Sequence, residues 1–215
     1  MSEPVYRPEI FNPSSVDDAR RIILTPEPEL STDERWDRET PYLADRLVET
    51  MMPDESSLVL DFGCGIGRLA KAVIERSGCT AIGVDISARM RAYAHIYVES
   101  ERFAATSPAG LDGLVARGLA VDHGYAVWVL QHCLDPALEL RRIHAALMPG
   151  GTFSVINSTE RWLPTDQGWR SDSKNISDLM RSGFVDVADV ALVEGPLSAA
   201  LKRSSFFKVL HKAPA

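Results

Sequence analysis

The sequence predicts an open α/β fold in which a largely parallel sheet is covered by helices on both faces. Short, almost wholly apolar runs occupy positions 58–60, 81–84 and 125–130, as expected for strands that are buried on both sides. Segments with helical spacing of apolar residues separate these runs. Strands that alternate with helices in this way are typical of βαβ units and a doubly wound parallel sheet.

The first strand leads directly into a glycine-rich turn. Gly63, Gly65 and Gly67 follow the apolar run 58–60, and helical spacing begins at Ile66 and continues to a stop at Gly78. Such a strand, loop and helix place backbone N–H groups and the positive end of a helix at the carboxyl edge of the sheet. Open α/β folds bind ligands at that edge, so we expect a nucleotide-like ligand there.

The second strand supplies another polar group at the same edge. The apolar run 81–84 ends in Asp85, where a carboxylate can accept hydrogen bonds from both hydroxyls of a ribose. Dinucleotide-binding folds place glycine or alanine three residues after the second glycine of the loop, but Arg68 stands at that position. An NAD(P)-dependent Rossmann oxidoreductase is therefore the alternative and not the first choice.

The remaining elements follow in order along the chain. Ser87 is a good cap for the next helix, and Asp135 with Pro136 is a good start for a later one. Ser107 and Pro108 are expected to break the third strand. The predicted helices after the glycine loop lie at 87–99, 111–119, 136–147 and 176–182. The further strands are expected at 101–106, 152–157, 184–193 and 205–210, with a long polar loop at 158–175.

Two motifs resemble those of one enzyme family. Residues 61–67, Asp-Phe-Gly-Cys-Gly-Ile-Gly, resemble the first motif of class I S-adenosylmethionine-dependent methyltransferases, and Asp85 matches the family's ribose-binding acid. Residues 131–136, Gln-His-Cys-Leu-Asp-Pro, resemble the fourth-strand motif of the small-molecule branch. The resemblance covers about residues 40–212. It implies a Rossmann-like, doubly wound, seven-stranded sheet that is mostly parallel with an antiparallel last strand.

The same resemblance implies S-adenosyl-L-methionine as the cofactor and assigns its contacts. Ile86 and Met90 would flank the adenine, while Thr106 and Ser107 would stand in for the family's acidic adenine contact. Cys64 lies inside the glycine turn, where a structural role is expected. The full set of expected cofactor-binding residues is Asp61, Gly63, Cys64, Gly65, Asp85, Ile86, Met90, Thr106, Ser107 and Val129.

Candidates for catalysis and acceptor binding lie at the same sheet edge and in two flanking segments. His132 follows the fourth strand, and an imidazole titrates near neutral pH, so His132 is the candidate general base. Aromatic and charged residues after a strand's carboxyl end suggest a binding loop. The candidate acceptor-binding residues are Arg35, Trp36, Asn157, Arg161, Trp162 and Trp169, and no metal site is predicted.

Length and composition predict one soluble domain with an additional arm. Residues 1–38, rich in proline and charge, are expected to form an amino-terminal arm or lid over a methyltransferase domain at 39–215. Thr40 and Pro41 are expected to start a helix that ends at Pro53. Three cysteines without a Cys-x-x-Cys pair fit a reducing cytoplasm, and neither a membrane span nor a signal peptide is recognised.

The expected activity is methyl transfer from S-adenosylmethionine to a small-molecule acceptor, with S-adenosylhomocysteine as product. A net charge of -7 and a pI near 5.3 disfavour a nucleic acid held by its phosphates, and no membrane partner is expected. The identity of the acceptor and the oligomeric state stay open. A second alternative is a non-catalytic protein that binds S-adenosylmethionine without turning it over.

Overall fold

The computed structural model describes residues 3–27, 30–172, 175–180, 183–193 and 195–214. The strands are β1 Leu58–Phe62, β2 Thr80–Val84, β3 Phe103–Thr106, β4 Val121–Val127, β5 Leu147–Ser158, β6 Leu163–Thr165, β7 Gly168–Arg170, β8 Phe184–Asp189 and β9 Ser205–Lys212. The helices are α1 Val16–Ile23, α2 Thr32–Met51, α3 Arg68–Ser77, α4 Ala88–Val98, α5 Pro108–Val115, α6 Pro136–Ala146, α7 Ile176–Leu179 and α8 Ala199–Ser204.

Seven strands form the main sheet in the order β3-β2-β1-β4-β5-β9-β8. Strands β3, β2, β1, β4 and β5 are parallel, and β9 is antiparallel to both of its neighbours. The first strand, β1, lies inside the sheet, and β2 and β3 follow in turn on one side of it. The chain then crosses to the other side of β1, where it forms β4. The predicted fold, a mostly parallel seven-stranded sheet with an antiparallel last strand, is therefore confirmed.

Helices cover both faces of this sheet because successive strand residues point in opposite directions. Val59 of β1 packs in one apolar cluster with α2, α3 and α4. Its neighbour Leu60 packs in a second cluster, on the other face, with α5, α6 and α7. Both residues are fully buried, and this explains why β1 reads as an unbroken apolar run.

The structure corrects three of the predicted elements. The polar loop expected at 158–175 contains the hairpin of β6 and β7, which forms a separate two-stranded sheet. Ser107 ends β3 but also caps α5 by accepting a hydrogen bond from Gly110 N, so this helix starts earlier than expected. The turn of α8 before β9 was not predicted. Each of these short elements is held by contacts with distant parts of the chain or by one cap.

The amino-terminal helix α2 also starts earlier than predicted. Ser31 and Glu34 form a capping box, in which the Ser31 hydroxyl accepts from Glu34 N at 3.2 Å and the Glu34 carboxylate accepts from Ser31 N at 2.8 Å. Thr40 and Pro41, expected at the helix start, lie in its middle. The expectation was wrong because the helix is capped at Ser31 and continues through Pro41.

The arm expected at 1–38 lies over the carboxyl edge of the sheet. Its first residues pair with the hairpin: Tyr6 bridges Thr165, and Arg7 N donates to the Pro164 carbonyl at 2.9 Å. Ala19 of α1 and Leu24, the residue that follows this helix, pack with Met90 of α4 in a third apolar cluster. Helix α2 runs across the predicted boundary at residue 38, so the arm and the domain share one continuous helix.

Across the described ranges, no helix combines the length and the apolar character needed to cross a membrane.

The capping box generates a stability prediction. Ser31→Ala removes the acceptor for Glu34 N, and we expect the free energy of unfolding to fall by about 1 kcal/mol. Because the two side chains cap each other, Ser31→Ala and Glu34→Ala together should cost less than the sum of the single changes. Urea denaturation of the four proteins measures this coupling. Additive losses, or no loss for Ser31→Ala beside the exposed control Glu75→Ala, would contradict the capping role.

Candidate active site

The turn between β1 and α3 takes a shape that favours glycine. Gly63, Gly65 and Gly67 have φ angles of +83°, +54° and +80°, in the left-handed region. A Cβ atom on Gly63 would lie 2.1 Å from Cγ2 of Val129, so the turn passes too close to the end of β4 for any side chain. The loop is anchored to β2, because Gly63 N donates to the Val84 carbonyl at 2.7 Å.

Asp85, directly after β2, is hydrogen-bonded to this loop. One carboxylate oxygen accepts from Gly65 N at 2.9 Å, and the other accepts from Ser87 N at 2.8 Å. Burial raises the pKa of Asp85, while the two backbone N–H donors lower it by smaller amounts. Each carboxylate oxygen has a second lone pair, so Asp85 can still accept from hydroxyl groups of a ligand.

A cavity of about 860 Å³ opens above the loop and is roofed by the arm. Its volume lies in the upper part of the range of about 300–1,000 Å³ typical of small-molecule sites. Eight of the side chains and backbone positions proposed from the sequence line it: Arg35, Gly63, Gly65, Asp85, Ile86, Met90, Val129 and Trp169. The candidate base His132 lines it as well. The sheet edge therefore brings the two motifs together in one space.

The structure does not bring the other proposed residues to the cavity wall. Asp61 and Cys64 are buried beneath the loop, and Thr106 and Ser107 lie next to Pro108, which does line the cavity. Trp36 packs in the third apolar cluster, and its indole N–H lies 3.2 Å from the Tyr97 hydroxyl. Their assigned roles in cofactor or acceptor binding stay predictions.

Asp61 is a buried carboxyl group with an unusual environment. It is 3% exposed, and its Oδ2 atom has no hydrogen-bond partner among the described residues. Burial raises the pKa of Asp61 to about 7, with smaller lowering effects from Tyr125 and the charge of Arg68.

Two buried arginines bring positive charge to the other end of the cavity. Arg35 forms a bidentate pair with Glu39 at 2.6 and 3.2 Å, and its remaining nitrogen donates to the Thr25 carbonyl at 2.5 Å. Arg68 lines the cavity, is 4% exposed, and donates to the Thr40 hydroxyl at 3.2 Å. Burial lowers the pKa of Arg68 to about 10. Glu27 lies 3.7 Å from Arg35, so the two arginines face two carboxylates, Glu27 and Glu39, and these four side chains carry no net charge.

His132 occupies a half-buried position among aromatic rings. Its ring centroid lies 5.6 Å from that of Phe11 in the arm and 5.3 Å from that of Trp169 in the hairpin. Its Nδ1 atom is 2.7 Å from the Trp162 carbonyl. Burial lowers the pKa of His132, so the neutral imidazole is favoured. The Tyr6 hydroxyl donates to the His132 carbonyl at 3.1 Å and ties the arm to the same turn.

Arg161 and Asn157 brace the loops around His132. The Arg161 guanidinium is buried, pairs with Asp172, and donates to the Cys133 and Leu134 carbonyls at 2.5 and 3.0 Å. The fully buried Asn157 accepts from Gln131 N at 3.4 Å. Both side chains therefore hold the turn after β4, and neither reaches the cavity.

Sequence reasoning missed several cavity-lining residues. Trp128 has a φ of +53°, which is rare for a bulky residue and costs energy, and its indole N–H donates to Ser205 Oγ at 3.0 Å. The residues next to Trp128 in the sequence do not predict that conformation. Tyr6 and Phe11 reach the cavity from the far end of the arm. Arg68 could have been found, since it directly follows the glycine loop.

Together, the fold and the site define a class: an α/β protein with a buried acid and a glycine loop at the switch point of its sheet. Comparison with protein families gives the same result, because the model of the methyltransferase domain family matches residues 34–186. The chain belongs to this family, and its sheet is that of the class I methyltransferases.

Curated relatives are distant and cover only part of the chain. An uncharacterised methyltransferase of Mycobacterium tuberculosis is 29% identical over 132 residues, which are 58% of this chain and 61% of the relative. The chain thus spans about three fifths of the length of that protein. A ubiquinone biosynthesis O-methyltransferase of Cereibacter sphaeroides is 29% identical over 177 residues, with 72% and 70% of the two chains covered.

Solved structures share the fold at low sequence identity. The carbon methyltransferase CurJ has a TM-score of 0.64 at 17% identity, with 93% of this chain and 58% of the other covered. A phosphoethanolamine N-methyltransferase of Haemonchus contortus, in complex with S-adenosyl-L-methionine, has a TM-score of 0.57 at 16% identity over 81% and 53%. The [4+2]-cyclase SpnF has a TM-score of 0.59 at 19% identity over 81% and 82%.

The close packing at Gly63 predicts an unequal response to two glycine substitutions. Gly118 also has a positive φ of +93°, but a Cβ atom there would meet nothing within 4 Å. Gly118→Ala should cost about 1 kcal/mol of unfolding free energy from backbone strain alone. Gly63→Ala adds the overlap with Val129 and should cost clearly more. Urea denaturation compares them, and equal losses would mean that the turn can move away from β4.

Asp61 predicts an unusual dependence of stability on pH. Its folded pKa of about 7 lies above the ordinary 3.8, so between these values the folded protein holds a proton that the unfolded chain has released. The contribution of Asp61 to stability therefore falls as pH rises from about 4 to about 7, and is constant above. Asp61→Asn cannot titrate, so the variant should gain stability relative to wild type over that range. A difference that stays constant across denaturation curves at several pH values would contradict this.

Proposed function

We propose that the protein transfers a methyl group from S-adenosyl-L-methionine to a small-molecule acceptor. The observation that carries this proposal is the hydrogen bond between Gly65 N and Asp85 at the mouth of a cavity that also contains His132. It joins the two cofactor motifs at adjacent strand ends, with the candidate base in the same space. Family membership supports the reaction type, and small-molecule methyltransferases among the relatives support the acceptor class.

The groups around the cavity suit the parts of this cofactor. The free lone pairs of Asp85 would accept from the ribose hydroxyls. Ile86 and Met90 offer apolar surface beside the ribose site for the adenine. The Arg68 guanidinium lines the cavity, and its N–H donors suit the carboxylate of the methionine part. S-adenosylmethionine when bound supplies an electrophilic methyl group on a sulfonium centre, so the chain need not activate the donor.

The contribution of the chain to the reaction is orientation, exclusion of water and proton acceptance. Holding reacting groups in line lowers the barrier by up to about 7–11 kcal/mol. The arm supplies Tyr6 and Phe11 as part of a lid, and Trp128 and Trp169 add apolar walls. His132 would take a proton from the acceptor where the acceptor must lose one. This lining favours an acceptor that is neutral and partly apolar over a highly charged one.

The two alternatives receive different support. An NAD(P)-dependent oxidoreductase is disfavoured because Arg68 is buried at the first turn of α3, where the dinucleotide fingerprint needs a small residue. The other alternative is a non-catalytic protein that keeps this fold and binds S-adenosylmethionine without turning it over. It predicts cofactor binding without formation of S-adenosylhomocysteine.

Calorimetric titration with S-adenosylmethionine and S-adenosylhomocysteine tests the cofactor assignment. We expect micromolar binding by the wild type. Asp85→Asn keeps the size of the side chain but removes the charge, and loss of a charged hydrogen-bond acceptor at about 1.5–3 kcal/mol should weaken binding roughly 10- to 100-fold. Asp45→Asn on the outer surface of α2 is the matched control and should bind like the wild type.

Three results would contradict the proposal. Folded wild-type protein that binds neither compound, or that binds nicotinamide cofactors instead, would remove the cofactor assignment. Unchanged affinity in Asp85→Asn, with native circular dichroism, would remove Asp85 from the site. Tight binding without product S-adenosylhomocysteine on a broad panel of phenols, amines and carbon acids would favour the non-catalytic alternative.

A further inference from the structure

Gln131 and His132 form an interacting pair at the end of β4 whose function the sequence motif does not explain. Both line the cavity, and both belong to the 3-10 turn Leu130–His132 that follows the strand. Gln131 is 9% exposed, so its carboxamide must satisfy its hydrogen bonds within the protein. The Gln131 Nε2 and His132 Nε2 atoms lie 3.2 Å apart.

The backbone determines which way the Gln131 amide points. Ser158 N lies 2.8 Å from the Gln131 side-chain oxygen. A backbone N–H can only donate, so the atom facing it must be the oxygen and not the nitrogen. The amide nitrogen therefore faces His132 Nε2, to which it can only donate.

A second backbone group determines the tautomer of His132. Its Nδ1 atom lies 2.7 Å from the Trp162 carbonyl, which can only accept, so Nδ1 carries the proton. In the neutral ring Nε2 then has a free lone pair, and the Gln131 amide donates to it. The rings of Phe11 and Trp169 hold the plane of the imidazole in this orientation. The Ser158 N–H and the Trp162 carbonyl thus determine which atom donates and which accepts in each of these side-chain hydrogen bonds of Gln131 and His132.

Protonation of His132 would break this arrangement. An imidazolium carries N–H groups on both nitrogens, and Nε2–H would then point at the N–H groups of the Gln131 amide. Burial acts in the same direction by lowering the pKa of His132. The titratable groups around the turn are Tyr6 from the arm, Asp85 after β2, Cys133, Asp135 and Glu139 at and near the start of α6, and Arg161 from the loop after β5. Glu139 forms an ion pair with Arg142, and the positive charge of Arg142 offsets the negative charge of Glu139.

We propose that Gln131 is a positioning residue that keeps His132 neutral in the cofactor-free protein, by donating to the Nε2 lone pair until an acceptor group displaces the amide. This proposal rests on the proposed methyl transfer. As the acceptor atom forms its bond to the methyl carbon, the carbon–sulfur bond breaks and its electron pair stays on sulfur. The bond between the acceptor atom and its proton also breaks, and the proton passes to Nε2, where the acceptor group has replaced the Gln131 amide. The proton is then lost to solvent.

Gln131→Glu tests the role of the amide with little change of shape. The carboxylate still accepts from Ser158 N, but it presents an acceptor to Nε2 and so favours the imidazolium. An opposite charge at this distance should raise the pKa of His132 by about 1–3 units. Gln167→Glu in the turn between β6 and β7 makes the same chemical change on the surface and should leave the His132 pKa close to that of the wild type.

The first readout is independent of methyl transfer. Nitrogen-15 NMR of the histidine side chains in the cofactor-free protein, with His132→Ala to assign the resonance, reports the tautomer and the pKa. We expect the Nδ1–H tautomer with a pKa below the ordinary 6.5 in the wild type, and a higher pKa in Gln131→Glu. An Nε2–H tautomer in the wild type would overturn the proposal, whether or not the variant folds, and so would an equal pKa in a folded variant.

The second readout separates positioning from a purely structural role. With an acceptor identified, the acid limb of the kcat/KM profile should move to higher pH in Gln131→Glu by the same shift as the NMR pKa. An acid limb that does not move, with the NMR shift present, would show that His132 is not the base and would overturn the positioning role. A protein that binds no cofactor fails the calorimetric test above, and one that binds it without turnover gives no S-adenosylhomocysteine on the acceptor panel. In both cases the NMR result still decides whether the hydrogen-bonded pair exists.

Discussion

The turn between β1 and α3 constrains every wall of the cavity. Gly63 contacts Val129 at the end of β4, Gly65 is hydrogen-bonded to Asp85 after β2, and a Cβ atom on Gly65 would meet Ile23 of the arm at 2.6 Å. Three separate segments, namely the end of β4, the residue after β2 and the arm, therefore pack against the glycine positions of one loop. Because the loop cannot move without disturbing all three, the positions of the acid, the fourth strand and the arm are coupled.

The arm is also linked to this turn by buried charged side chains of α2 and α3. Arg35 and Glu39 lie on consecutive turns of α2 and are 6% and 1% exposed. Removing one partner from such a pair costs about 3–5 kcal/mol, although the intact pair adds little net stability. The value of the pair is positional, since it also binds the Thr25 carbonyl and sets the path from α1 into α2. Arg68 at the start of α3 lies close enough to Arg35 and Glu39 for their charges to affect its pKa.

The sequence predicted what local patterns encode. Three apolar runs, a glycine turn and an acid at a strand end were sufficient for the α/β fold class and the cavity edge. The seven-stranded sheet with its antiparallel last strand was implied by the resemblance to the family. The hairpin of β6 and β7 could not be predicted in this way, because its outer partner is Tyr6, more than 150 residues away in sequence. The positive φ of Trp128 is set by the packing of the whole sheet edge, and no local signal encodes it.

The start of α2 was missed for a different reason. Both signals, Ser31 with Glu34 and Thr40 with Pro41, are genuine helix-start patterns, and only tertiary packing distinguishes them. Trp36, before the proline, is buried against Tyr97 of α4, with the Arg20 guanidinium 4.6 Å from its ring centre. Burying that indole is possible only if the helix already exists at residue 36. The longer helix is therefore favoured by packing over the shorter one that proline alone would suggest.

The proposed chemistry depends on an uncharged imidazole at His132. The sulfonium cofactor that we propose would bring a positive charge into the cavity, and it would repel a second cation on His132 in surroundings of low dielectric. The Gln131 amide and burial both favour the neutral ring before any ligand enters. The charge of Arg35 is balanced by Glu39 and Glu27. Under the proposed function, the Arg68 guanidinium would face the cofactor's carboxylate, and the rings of Phe11, Trp128 and Trp169 would surround the acceptor.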